Sequence, residues 1–123
     1  MKKILIIILF FNFSNALALE FKSNFTRAAF EQAQKNGKTV VVYSWNKFCG
    51  TCANQKPILK QAKEDFGNVL FLDFEQTKHE DIAKFLNINY WSTIAVYKNN
   101  KQVAVAIGIS NKDEIYSLIN EGI

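Results

Sequence analysis

One proline, one histidine, one methionine and two cysteines are all that 123 residues carry of these types, and each scarcity excludes something. The two cysteines and the distant His79 leave a closed four-ligand zinc site incomplete unless carboxylates fill it. A c-type haem anchor needs histidine directly after its second cysteine, and Ala53 stands there. No run of about five or more lysines or arginines occurs, so nucleic-acid binding has no support. No apolar stretch reaches the roughly 18 residues of a spanning helix. No internal repeat and no Gly/Ser/Pro-rich linker divides the chain.

What is present fits one compact domain: 49% of residues are hydrophobic, 14% aromatic and 21% charged, enough for a core and too apolar for disorder. The single boundary lies near the N-terminus. Lys2 and Lys3 precede the unbroken apolar run Ile4 to Phe11, and Ala16-Leu17-Ala18 supplies small residues for signal peptidase. This is the pattern of a secretory signal peptide over residues 1–18, cleaved after Ala18, with a domain over residues 19–123. Retention as an anchor is disfavoured by the shortness of the run. No cysteine flanks the cut and no twin arginine precedes the run, which points to general export. Lys2 and Lys3 are two of the 15 basic residues, so the domain's excess over the 11 acidic residues falls to about +2.

Periodicity orders the rest. Ser23 or Asn24 is expected to cap a helix through "FTRAAFEQAQKN", with Phe25, Ala28, Ala29, Phe30 and Ala33 apolar and Gly37 at its stop. "KTVVVYSW" is too hydrophobic to face water and predicts a strand buried on both faces. "ANQKPILKQAKEDF" predicts a helix ended by Gly67, "NVLFLDF" a second buried strand, and "KHEDIAKFL" a short helix with Ile82, Phe85 and Leu86 inward. Asn99-Asn100 separates two β-rich runs and predicts a tight hairpin. Ser110 is expected to cap a last helix with Ile115, Leu118 and Ile119 inward. The fold class expected is α/β, a central mixed sheet flanked by helices on both faces.

"WNKFCGTCANQKP" places both cysteines where a strand ends and a helix begins. A structural staple remains one reading, although so short a loop removes little unfolded-state entropy. Redox chemistry is the other. Unpaired N–H groups and the macrodipole at a helix start stabilise a thiolate, lowering its pKa to about 3.5–7.5. Cys49 would then attack a substrate disulfide and Cys52, one turn on and more buried, would release it. Small Gly50 and Thr51 leave the sulfur accessible, with Lys47 and Lys56 adding positive charge nearby.

With Trp45 before the cysteines, Cys49-Gly50-Thr51-Cys52, Pro57 behind them, a late hairpin and Gly108, the chain resembles the thioredoxin family over nearly the whole domain. The resemblance implies thiol–disulfide exchange through a Cys49–Cys52 redox disulfide, with no cofactor and no metal. It implies protein disulfide or thiol substrates; the signal peptide adds a periplasmic location, where a reductant needs a membrane electron-transfer partner, and a monomer is expected. CGTC is closer to the motif of reductants than to that of strong oxidants, so a reductant or isomerase is expected. A non-enzymatic binding module and a soft-metal carrier are the alternatives. By position, Pro57 would kink the active-site helix and Trp45 would pack beneath the turn, both structural roles. Phe48, Gly50, Thr51, Trp91, Ser92 and Thr93 would contact substrate.

Three positions depart from the family pattern. Ser92 replaces the usual cis-proline; a cis bond before a non-proline residue costs about 2.5–4 kcal/mol, so Trp91–Ser92 is expected to be trans or a strained cis. Tyr43 takes the place of a buried acid, and Asp73 aligns with that acid's usual lysine neighbour. Asp73 is therefore a candidate proton acceptor for Cys52, against the alternative of a strand-end residue touching water. Phe48 replaces a tryptophan and loses its N–H donor. His79 is expected on the surface.

Overall fold

The computed structural model describes residues 23–123, so the leader and the domain start at residue 19 lie outside the described residues. Along that span run α1 (Arg27–Lys35), β1 (Val40–Trp45), α2 (Gly50–Asp65), β2 (Leu70–Glu75), α3 (Glu80–Leu86), β3 (Thr93–Lys98), β4 (Lys101–Ile107) and α4 (Lys112–Asn120). The described strands form one sheet in the order β2-β1-β3-β4. β1 runs parallel to β2 and antiparallel to β3, and β3 pairs antiparallel with β4. The strand-helix-strand unit requires the first pairing and the hairpin the last.

Every residue of β1 is buried, because helices cover both faces. Alternation sends Val40 and Val42 toward Phe30 and Ala33 of α1 and Ile82 and Ala83 of α3. It sends Val41, Tyr43 and Trp45 toward Cys52, Leu59 and Ala62 of α2 and Ile115 and Ile119 of α4. Each such aliphatic side chain, fully buried, stabilises by about 1.5–3 kcal/mol. The expected mixed sheet with helices on both faces is the architecture found.

The hairpin turns at Asn99 (φ 52°) and Asn100 (φ 64°), both in the left-handed region a type I′ turn requires. Two caps differ from expectation. Thr26, not Ser23 or Asn24, caps α1, its hydroxyl accepting from Ala29 N at 3.1 Å. Ser23 and Asn24 are drawn instead to the edge of β2, where Ser23 Oγ accepts from Glu75 N (2.9 Å) and Asn24 Oδ1 from Asp73 N (2.7 Å). Asn111, not Ser110, caps α4, because its carboxamide accepts from both Asp113 N and Glu114 N. Phe85, expected inward, is 37% exposed, with the Arg27 guanidinium 3.9 Å above its ring.

Candidate active site

α2 begins three residues earlier than the apolar periodicity suggested, because Cys49 itself is the N-cap. Its extended backbone (φ −90°, ψ 110°) opens the helix and its sulfur accepts from Cys52 N at 3.1 Å. A sulfur in the capping position faces the unpaired N–H groups of the first turn, where negative charge is favoured. Cys49 and Cys52 form a disulfide, with Cα atoms 5.2 Å apart. Their surroundings differ: Cys49 is half-buried, Cys52 wholly buried.

The turn leading to Cys49 is held by Asn46, which the sequence reading passed over. Its Oδ1 accepts from Phe48 N (2.9 Å), its Nδ2 donates to Thr77 Oγ1 (2.8 Å), and its carbonyl accepts from Cys49 N (3.1 Å). The signal was available, since asparagine commonly bonds its own backbone two residues on. Phe48 is 79% exposed with Lys47 Nζ 5.1 Å from its ring centre. Gly50 is exposed and Thr51 half-buried, so the outer surface of the turn is open. Pro57 lies inside α2 and withholds the N–H that would bond Ala53 O.

Beneath the cysteines lies a polar cluster. Leu72 and Phe74 belong to the α1/α3 core, so alternation turns Asp73 to the side of α2 and Cys52. Asp73 pairs in register with Tyr43, is 7% exposed, and accepts from Trp45 Nε1 at 2.8 Å. Burial pushes its carboxyl up to about 6, against the lowering influence of the Trp45 bond and of Lys63 and Lys56. It is mid-strand and buried, not a strand-end residue meeting water. Tyr43 donates to Cys52 O at 3.2 Å. Burial first, and the charge of Asp73 second, hold its phenol protonated far above the ordinary range. Trp45 is buried, with Lys56 Nζ 4.3 Å over its ring.

The Trp91–Ser92 peptide is trans, as no cis bond occurs among the described residues. Ser92 instead takes φ 56°, a left-handed conformation uncommon for a residue with a Cβ. Trp91 stands 39% exposed, while Ser92 and Thr93 are buried. The Thr93 hydroxyl donates to Tyr90 O (2.7 Å), so that side chain supports the turn and leaves no surface to a substrate. Gln55, a second residue the sequence reading missed, is wholly buried on α2. Its Nε2 donates to Ser92 O (3.2 Å) and Ile109 O (2.8 Å), while its Oε1 finds no donor among the described residues. His79 is half-buried before α3, away from these groups in sequence. Among the described residues no cluster of histidine, cysteine and carboxylate groups is suited to a metal ion.

Paired cysteines at the start of a helix, at the C-terminal end of a central strand in a helix-covered mixed sheet, define a thiol–disulfide oxidoreductase site. The comparisons agree. The Thioredoxin family model matches residues 21–121, most of the sequence. The thioredoxin of Mycoplasma genitalium is 34% identical over 83 residues, covering 68% of this chain and 81% of that protein. Human thioredoxin is 29% identical over 98 residues, covering 78% and 92%. Among solved structures, Trxlp from Edwardsiella tarda superposes with a TM-score of 0.73 at 21% identity, covering 77% of this chain and 94% of the other. Fasciola hepatica thioredoxin gives 0.69 at 21%, covering 78% and 93%. The chain belongs to the thioredoxin family and is a redox enzyme of that family.

Proposed function

We propose that this thioredoxin-family protein is exported to the periplasm and works there as a reductant or isomerase of protein disulfides. The observation carrying the reading is the asymmetry of the two sulfurs: Cys49 partly exposed at a helix N-cap, Cys52 fully buried one turn inside. In the reduced protein the Cys49 thiolate attacks a substrate disulfide, forming a mixed disulfide as one substrate thiolate departs. Cys52, deprotonated with Asp73 as proton acceptor, then attacks Cys49 Sγ. The intramolecular disulfide forms, the second substrate thiolate leaves, and two electrons have passed to the substrate. Phe48, Gly50, Thr51 and Trp91 offer side chains or open backbone to the substrate chain, with Ser92 and Thr93 shaping the turn behind Trp91.

Restoring the dithiol in an oxidising compartment requires a donor, for which a membrane electron-transfer protein is the fitting class. The N-terminal pattern ending at Ala18 supports export, and the protein is taken to act as a monomer. Insulin reduction with dithiothreitol as electron source tests the enzyme: turnover by the parent, lost in Cys49→Ser and in Cys52→Ser, is expected. Cys52→Ser alone should accumulate a mixed disulfide with its substrate. Absence of turnover in the parent would leave a binding module. A reduction potential near about −270 mV, rather than about −120 mV, is expected of the reducing role. Recovery from the periplasmic fraction of a protein beginning at Leu19 tests the location.

A further inference from the structure

The buried amide of Gln55 joins three segments: the helix that carries both cysteines, the turn before β3 and the turn after β4. It stands on α2 three residues beyond Cys52, on the face one turn before Leu59, where periodicity calls for an apolar side chain. Both hydrogens of its Nε2 are used, one on Ser92 O in the turn before β3 and one on Ile109 O in the turn after β4. Those turns also bond each other, Gly108 N donating to Ser92 O at 3.0 Å. Both carry left-handed backbone, which Gly108 (φ 80°) adopts freely but Ser92 (φ 56°) does not, so the turn at Ser92 is the one that needs support. The amide carries a penalty, since its Oε1 is buried without a donor among the described residues. A leucine or methionine would fill the space without that penalty, so bulk alone does not account for glutamine here.

We propose that Gln55 is a positioning residue for protein substrates, locking the Trp91–Ser92 and Gly108–Ile109 turns to the helix that carries the cysteines. It touches neither sulfur through any hydrogen bond of the structure; it sets where Trp91 stands relative to Cys49. Buried donors fixed on a carbonyl hold a loop through reach and direction, so a side chain of equal length without donors frees the turns while filling the space. The inference rests on the reading that Trp91 meets substrate.

The test compares the parent, Gln55→Met, Gln55→Asn and Trp91→Ala in two assays. One gives KM and kcat for insulin. The other gives the rate at which dithiothreitol, too small to need the turns, reduces the Cys49–Cys52 disulfide. Gln55→Met is expected to raise KM for insulin about 3–10-fold with the dithiothreitol rate and the reduction potential within about twofold of the parent. Gln55→Asn, whose amide falls one methylene short, is expected to do the same and reads the effect should the methionine variant not fold. Equal changes in both assays, no change in either, or failure of both variants to fold overturns the inference. If Trp91→Ala leaves KM unaltered, the reading of Trp91 fails. If Trp91→Ala raises KM while the Gln55 variants do not, only the role of Gln55 fails.

Discussion

Replacing Asp73 with asparagine should stabilise the oxidised protein at pH 8 and do far less at pH 3.5. The reason lies in the carboxyl's surroundings: the residue is 7% exposed, on the α2 side of the sheet, with Trp45 Nε1 as its hydrogen-bond donor. One donor does not replace the water an ionised carboxylate loses, so its folded pKa rises from the ordinary 3.8 to about 6. A raised folded pKa means that the folded state holds the proton more tightly than the unfolded chain. The associated stability is fully present below about pH 4 and is lost as pH rises through about 6. At 1.36 kcal/mol per tenfold change in proton affinity, that interval corresponds to about 3 kcal/mol.

Asparagine does not titrate, and its carbonyl oxygen can still accept from Trp45. The change in unfolding free energy on Asp73→Asn should therefore be about 3 kcal/mol more favourable at pH 8 than at pH 3.5. Urea denaturation of the two oxidised proteins at both pH values measures it directly. With a slope of about 1–3 kcal/mol per molar urea, the midpoint difference should grow by roughly 1–3 M between the two conditions. Other carboxylates titrate over this range too, but they do so in both proteins and cancel. An identical effect of the substitution at the two pH values refutes the reasoning, because the burial cost of the charge would then be absent. The same variant removes the proposed proton acceptor and should slow insulin turnover at neutral pH by about a hundredfold. Stabilisation with undiminished turnover would keep the buried charge and remove its catalytic role.

Two further substitutions probe the frame around the site. Gly122→Ala places a methyl 2.5 Å from Val96 Cγ1 and 2.8 Å from Thr39 Cγ2. Neither short side chain can swing away, so a loss of about 1–3 kcal/mol in urea unfolding is expected. Turnover should be intact, since Thr39 precedes β1 and the cysteines follow it. Asn46→Ala removes the bonds to Phe48 N and Thr77 Oγ1 and should cost about 1–3 kcal/mol by the same measurement. An unchanged unfolding midpoint in either variant would show that the crowding at Gly122, or the brace at Asn46, carries no weight.

The elements that were legible in the sequence are those whose cause is local. A valine run too apolar for solvent gave β1, and two adjacent asparagines gave the hairpin, because only the residues themselves decide those outcomes. The cysteine pair was legible for a similar reason: four residues and the strand-to-helix boundary define it. The α1 cap was misread where a distant strand intervened. Ser23 and Asn24 are good caps in isolation, but the edge of β2 presents Asp73 N and Glu75 N, some fifty residues away, and takes both side chains first. No window over the helix contains that competition.

The same distinction divides the site. Asp73 stood out through its place in the family pattern, and alternation along β2 puts it on the α2 side of the sheet, opposite Leu72 and Phe74. That its carboxyl is held by Trp45 depended on how β1 and β2 register, which periodicity does not supply. Ser92 shows the sharpest limit. Energetics alone favoured a trans peptide there, yet gave no hint that the chain would satisfy the turn with a left-handed residue. The fold supports that backbone through Gly108 N and Gln55 Nε2, both aimed at one carbonyl. A polar residue on the apolar face of α2 was the visible trace of this arrangement. Its meaning lay in carbonyls 37 and 54 residues further along, brought beside it only when the sheet closes. A glutamine in such a place, donating twice through its Nε2 and given no donor for its Oε1 among the described residues, marks where this chain departs from simple packing to hold a loop that lacks proline.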